Sequence, residues 1–214
     1  MTIDISRGEK VVAKDGTPSR ERIVAGAADL ISRRGLNAAS IRNLAKHARA
    51  PLGSTYHYFP EGKQQLATEA VRYADAAVTR ILRRELEAGP VAGLRAFLAL
   101  WRGVVLDSEF HAGCPVLAVS VEEPPSDEIP PALIAAAEAF GHWEQLLTDA
   151  LRAHGAEPER APALAALVVA SAEGAIAMCR AKRSTQPLDQ VAEQLEALVA
   201  GAVDSRAESG PSAS

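Results

Sequence analysis

Ser40-Ile41-Arg42-Asn43-Leu44-Ala45-Lys46-His47-Ala48-Arg49-Ala50-Pro51-Leu52-Gly53-Ser54-Thr55-Tyr56-His57-Tyr58-Phe59-Pro60-Glu61-Gly62-Lys63-Gln64-Gln65-Leu66 is the stretch that decides the fold. Ser40 is a capping residue type, and Ile41, Leu44, Ala45 and Ala48 recur at helical spacing, which predicts a short helix to about His47. Pro51 opens a still shorter helix to about Phe59, and Pro60-Glu61-Gly62 breaks it. Lys63 then begins a long helix to about Glu87. Before this stretch, Ile23, Ala27, Leu30 and Ile31 share one helical face. Thr17 or Ser19 can cap that helix, with Pro18 near its first turn, and Gly35 ends it.

Two short helices joined by a tight turn mean little alone, but the context adds to them. The second helix exposes small polar and aromatic groups, and a lysine follows at the next helix start. A helix-turn-helix places its second helix in the major groove, where small side chains let the backbone approach and flanking hydroxyls and amines hold phosphates. Charge agrees with that use. Residues 1–63 carry 11 Lys and Arg against 6 Asp and Glu, whereas residues 64–214 carry 12 against 21, within a total of −4. A basic third on an acidic body suits a polyanion partner.

The rest of the 214-residue chain also reads as helix. Alanine occurs 43 times and aromatics make up only 4%. That balance favours helices over sheets. Hydrophobic residues at 48% and charged residues at 23% can supply a core, so wholesale disorder is excluded. Leu94, Phe97, Leu98, Trp101 and Val105 mark one helix of the body. The run from Val116 to Val121 is compatible with a helix or a strand. Further helices are expected from about Ala132 to His154, from after Pro158 and Pro162 to Arg183, and from Pro187 to Val203. The N-terminus has no apolar leader and no apolar run reaches membrane-spanning length, so a cytoplasmic location is expected. Cys114 and Cys179 are too few for a disulfide scaffold, and His111 with Cys114 offers only two metal ligands, so no metal or cofactor is expected. No catalytic or phosphate-loop motif occurs, which argues against an enzyme.

Residues 40–66, with the helix before them, resemble the DNA-binding domain of TetR-family transcriptional regulators. Ala50-Pro51, the Phe59–Lys63 junction, Gly113-Cys114-Pro115-Val116, Glu173-Gly174-Ala175 and Pro187-Leu188 also resemble the LmrA/YxaF-like subgroup. The resemblance implies an all-α fold: an N-terminal three-helix helix-turn-helix domain followed by a helical-bundle ligand-binding and dimerisation domain. The expected divisions are a flexible arm at 1–17, the DNA-binding domain at 18–63, the body at 64–204 and a disordered tail at 205–214. The function implied is that of a homodimeric repressor on a palindromic operator, released by a small molecule. The rival is a helical enzyme or small-molecule binding protein with an incidental helix-turn-helix. Two positions depart from the family pattern. Arg49 stands where a turn glycine is usual, and Leu52 where Lys or Arg is common.

The DNA-binding residues expected from position are Ser40, Arg42, Gly53, Ser54, Tyr56, His57, Tyr58 and Lys63, with Thr55 and Phe59 in the core. For the effector, the large residues Phe97, Trp101, Phe110, Phe140, Trp143 and Met178, with His111 and Cys114 as polar anchors, form the candidate pocket. No Arg or Lys falls on those apolar faces, so a neutral ligand is expected, and a planar aromatic molecule is one that would fit. Small residues permit close helix approach. Ala166, Ala170, Gly174 and Ala177, with Val191, Leu195 and Leu198 of the last helix, are accordingly the expected dimer interface.

Overall fold

The computed structural model describes residues 20–124 and 127–204, so the expected arm and tail lie outside the described residues. Among those described there are nine helices and no strand. They are α1 (Arg20–Arg34), α2 (Ile41–His47), α3 (Leu52–Tyr58), α4 (Lys63–Leu86), α5 (Pro90–Asp107), α6 (Pro115–Ser120), α7 (Pro131–Ala153), α8 (Arg160–Lys182) and α9 (Gln186–Asp204). The ambiguous run after Cys114 is helix α6. Its first turn has a proline at the start and a cap, since the Leu117 N–H donates to Cys114 Sγ at 3.4 Å.

The described residues divide into two compact units, one within residues 20–76 and 111–139, the other within 77–110 and 140–204. The expected division stands at 63/64, whereas the first compact unit continues past it and takes in α6. In that unit α1 packs against α2, α3 and α6. Ile23, Ala27, Leu30 and Ile31 of α1 are buried with Leu44, Ala45 and Phe59, as their spacing predicts. The N–H of Gly113, just before α6, donates to the Ser32 carbonyl of α1 at 3.3 Å.

A polar tie fixes α2 on α1. Asp29 accepts from Arg33 Nε at 2.9 Å and contacts His47 Nε2 at 2.6 Å. Burial alone would raise the Asp29 pKa, but the hydrogen bonds from His47 and Arg33 outweigh it and hold the carboxyl below its ordinary value. A depressed carboxylate pKa contributes stability above the unfolded value of about 4, and that stability is lost as pH falls through the folded value. Asp29→Asn should therefore be less stable than wild type by on the order of 1–2 kcal/mol at pH 7. In urea titrations the gap should begin to narrow below about pH 4 and close as pH falls through the lower folded value. A gap that did not narrow at all as pH fell below about 4 would show that the effect is not this carboxylate's charge.

In the second unit α5, α8 and α9 pack together. Arg102 Nε donates to Asp189 at 2.8 Å, and Arg95 pairs with Glu196 at 2.8 Å, both joining α5 to α9. Cys179 is fully enclosed, and burial pushes its thiol above the ordinary value, which makes it an inert packing residue.

Candidate functional site

The turn between α2 and α3 is closed by two backbone hydrogen bonds. The Ala50 N–H donates to the Ala45 carbonyl at 2.9 Å, and the Arg49 N–H to the Lys46 carbonyl at 3.1 Å. These are the two bonds of a Schellman cap, which needs a left-handed residue just past the helix. Arg49 is that residue, at φ 53°. The departure from glycine therefore leaves the turn in place, and Arg49 bears a steric cost of about 1 kcal/mol or more. Its side chain is exposed at the turn, as are those of Arg42 and Lys46 on α2.

Ser40 caps α2 by accepting from the Asn43 N–H at 3.1 Å. It remains exposed, so capping does not withdraw it from the surface. In α3, Thr55 and the following Phe59 are fully buried, as expected, and Thr55 Oγ1 donates to the Pro51 carbonyl. Anchoring by those two residues turns the rest of the short helix outward. Gly53, Tyr56 and His57 are exposed, and Leu52, Ser54 and Tyr58 are half-buried. Tyr56 leaves 49% of its surface open, which separates it from a core tyrosine. A Cβ at Gly53 would meet nothing within 4 Å among the described residues, so no packing there requires glycine.

Arg20 at the start of α1 pairs with Glu69 of α4 at 2.5 Å and sits over the Phe59 ring, 5.2 Å from its centroid. These contacts tie α1 to the segment that carries Lys63, which begins α4 and is half-buried. All eight expected DNA-binding residues thus lie on one continuous stretch of the first unit, with at least part of each surface accessible.

The structure gathers only half of the candidate effector residues. Phe97, Trp101, Phe140 and Trp143 form one aromatic cluster with ring centroids 5.5–6.2 Å apart. Phe97, Trp101 and Trp143 are fully buried. Among the described residues the buried Trp101 Nε1 has no hydrogen-bond partner, an orphan donor in an apolar setting. Arg95 and Arg102 reach outward to α9, so no charge from α5 enters the cluster, in keeping with a neutral occupant. The other four residues are placed differently. Phe110 stacks under Arg183, 5.6 Å from the guanidinium. Met178 stands 47% exposed on the outer side of α8. His111 and Cys114 belong to the other compact unit, where Cys114 is used as the α6 cap.

The expected dimer face is mostly open. Ala170, Gly174 and Ala177 are exposed, Leu198 is 48% exposed, and Ala166 and Val191 are partly covered. Leu195 is a correction: at 3% exposure it fills the interior of its own unit and is not available to a second chain. Sequence reasoning missed Leu167 and Met178, which extend the outer face of α8 as large exposed apolar residues. Their spacing from Gly174, seven and four residues, was the available signal.

Two family models match the chain. Residues 23–70 match bacterial regulatory proteins of the tetR family, and residues 90–194 match the C-terminal domain of LmrA/YxaF-like transcriptional regulators. A Mycobacterium tuberculosis HTH-type transcriptional regulator, itself uncharacterized, is 42% identical over 183 residues, covering 84% of this chain and 93% of its own. The Bacillus subtilis HTH-type transcriptional regulator LmrA is 31% identical over 172 residues, 79% of this chain and 90% of its own. Among solved structures, a TetR transcriptional regulator from Legionella pneumophila superposes with TM-score 0.74 at 17% identity, covering 89% of this chain and 99% of that one. One from Chloroflexus aurantiacus superposes with TM-score 0.68 at 27% identity, covering 85% and 93%.

Proposed function

Because the chain belongs to the TetR family of bacterial transcriptional regulators, in its LmrA/YxaF-like branch, and is a DNA-binding regulator rather than an enzyme, we propose that it is a cytoplasmic homodimeric repressor. It binds a palindromic operator through α2, α3 and the start of α4. A neutral small molecule held at the aromatic cluster of the second unit releases it. Regulators of this family bind operator DNA as dimers with small-molecule effectors.

The single observation that carries the DNA-binding assignment is the outer face of α3, which Thr55 and Phe59 turn away from the core. Dimerisation is supported by the outer face of α8, where Leu167, Ala170, Gly174, Ala177 and Met178 are all exposed. Half-sites should be one helical turn or a small multiple apart. An effector acts by binding the conformer with low DNA affinity more tightly.

Fluorescence anisotropy with the chain's own upstream region tests the reading. Log affinity should fall with log salt by about 0.9 per phosphate neutralised. Lys63→Ala should weaken all duplexes alike and reduce that slope by roughly one. Tyr56→Ala should lower operator affinity while melting temperature and dimer mass stay unchanged. An affinity that ignores salt, or two variants that bind as wild type does, would move the DNA face elsewhere.

A further inference from the structure

The outer face of α3 has an unusual chemistry for a helix that reads bases. Residues 52–58 contain no Lys, Arg, Asn, Gln, Asp or Glu. Guanine is most often read by Arg or Lys at O6 and N7, adenine by Asn or Gln at N6 and N7, and cytosine by a carboxylate at N4. The helix carries none of these readers. What it does present follows from the four-residue repeat of a helix face. Leu52 and Tyr56 form one outward row, half-buried and exposed respectively, and Gly53 and His57 form the adjacent row, both exposed. Among the described residues, apart from its chain neighbours, nothing lies within 4 Å of where a Gly53 Cβ would be, so the backbone beside Leu52 is open to a partner.

The major-groove feature that matches an apolar side chain is the C5-methyl group of thymine. We propose that Leu52 is a specificity-determining residue that reads a thymine methyl in each operator half-site, with the Tyr56 ring beside it. This assignment rests on α3 being the reading helix. The Gly53 backbone admits the close approach that so short a contact needs. His57 and the half-buried Ser54 are left as the polar readers of α3, and phosphate attraction falls to Arg42, Lys46, Arg49 and Lys63 around it.

The test uses the full chain and a duplex selected by it from a random-sequence pool. Thymines are replaced one at a time by deoxyuridine, which removes only the methyl. Burying a group of that size implies about a fourfold loss of affinity for the methyl in one half-site, and on the order of 15-fold when both half-sites are changed. Leu52→Met should keep the ratio, and Leu52→Ala should reduce it below about twofold at that position only. Leu52→Arg should shift selection toward guanine there. Equal binding of thymine and deoxyuridine duplexes by wild type overturns the proposal. So does a ratio that survives in Leu52→Ala, or a selected half-site with no thymine. If Tyr56 and His57 substitutions also leave affinity unchanged, α3 is not the reading helix. If they weaken binding while the methyl has no effect, only the assignment of Leu52 fails.

Discussion

Trp101→Ala is expected to destabilise the second unit by about 3–5 kcal/mol, because it empties a fully enclosed site in a packed aromatic cluster. Trp101→Phe should behave differently. It keeps most of the ring volume and removes an indole donor that has no acceptor. A buried donor left unpaired costs about 1–3 kcal/mol, which offsets much of the lost packing, so this variant should stay within about 1 kcal/mol of wild type. The pair separates structure from function. If the orphan N–H donates to the effector, Trp101→Phe should melt near wild type and bind operator normally. Its inducer concentration for release should nevertheless rise at least about tenfold, the loss of one hydrogen bond to a desolvated donor. Calorimetric melting and operator-release titrations check both parts. Normal release of Trp101→Phe by the same inducer would leave Trp101 as a core residue alone.

Much of the DNA-binding unit was legible in the sequence because its signals are local. Ser40 caps α2, Pro51 precedes α3, and the apolar positions of α1 point inward as their spacing requires. The left-handed turn is also local, although Arg49 rather than glycine occupies it. Where the reading fell short, two alternatives had the same local pattern. In α8 both faces are apolar: Ala165, Ala172 and Ala175 are buried while Ala170, Gly174 and Ala177 are exposed. Periodicity cannot say which row of alanines meets the core. Leu195 and Leu198 are three residues apart and read as one face, yet the helix turns the first inward and leaves the second half open. The run at 116–121 was too short for its period to choose helix or strand. The Cys114 cap and Pro115 decide it, and its packing on α1, some 80 residues earlier, has no local trace. Size marks the large candidate effector residues, and size does not reveal that Phe110 pairs with Arg183 or that Met178 faces outward.

Gly26→Ala provides a second large effect, and its sign is the informative part. Gly26 lies inside α1, where alanine is favoured over glycine by about 1 kcal/mol on helix propensity alone. A sequence-level reading would therefore expect stabilisation. Packing opposes it. A Cβ at position 26 would lie 2.7 Å from Ala48 Cβ and 2.9 Å from Ala48 Cα. The second atom is backbone, at the C-cap of α2 immediately before the left-handed Arg49, so it cannot swing aside as a side chain would. The helices must separate, and overpacking of this kind costs about 1–3 kcal/mol. That exceeds the propensity gain, so the substitution should destabilise the protein, and Gly26→Val more so. The function should suffer further than the stability. Moving α2 shifts the Ala45 and Lys46 carbonyls that close the turn, and with them the start of α3. With the proposed base contacts on that helix, operator affinity should fall at least about tenfold even under conditions where the variant remains folded. Urea unfolding and operator titration on the same preparation check both effects. A Gly26→Ala protein that is more stable than wild type and binds normally would mean that the approach of α1 to α2 does not set the position of α3.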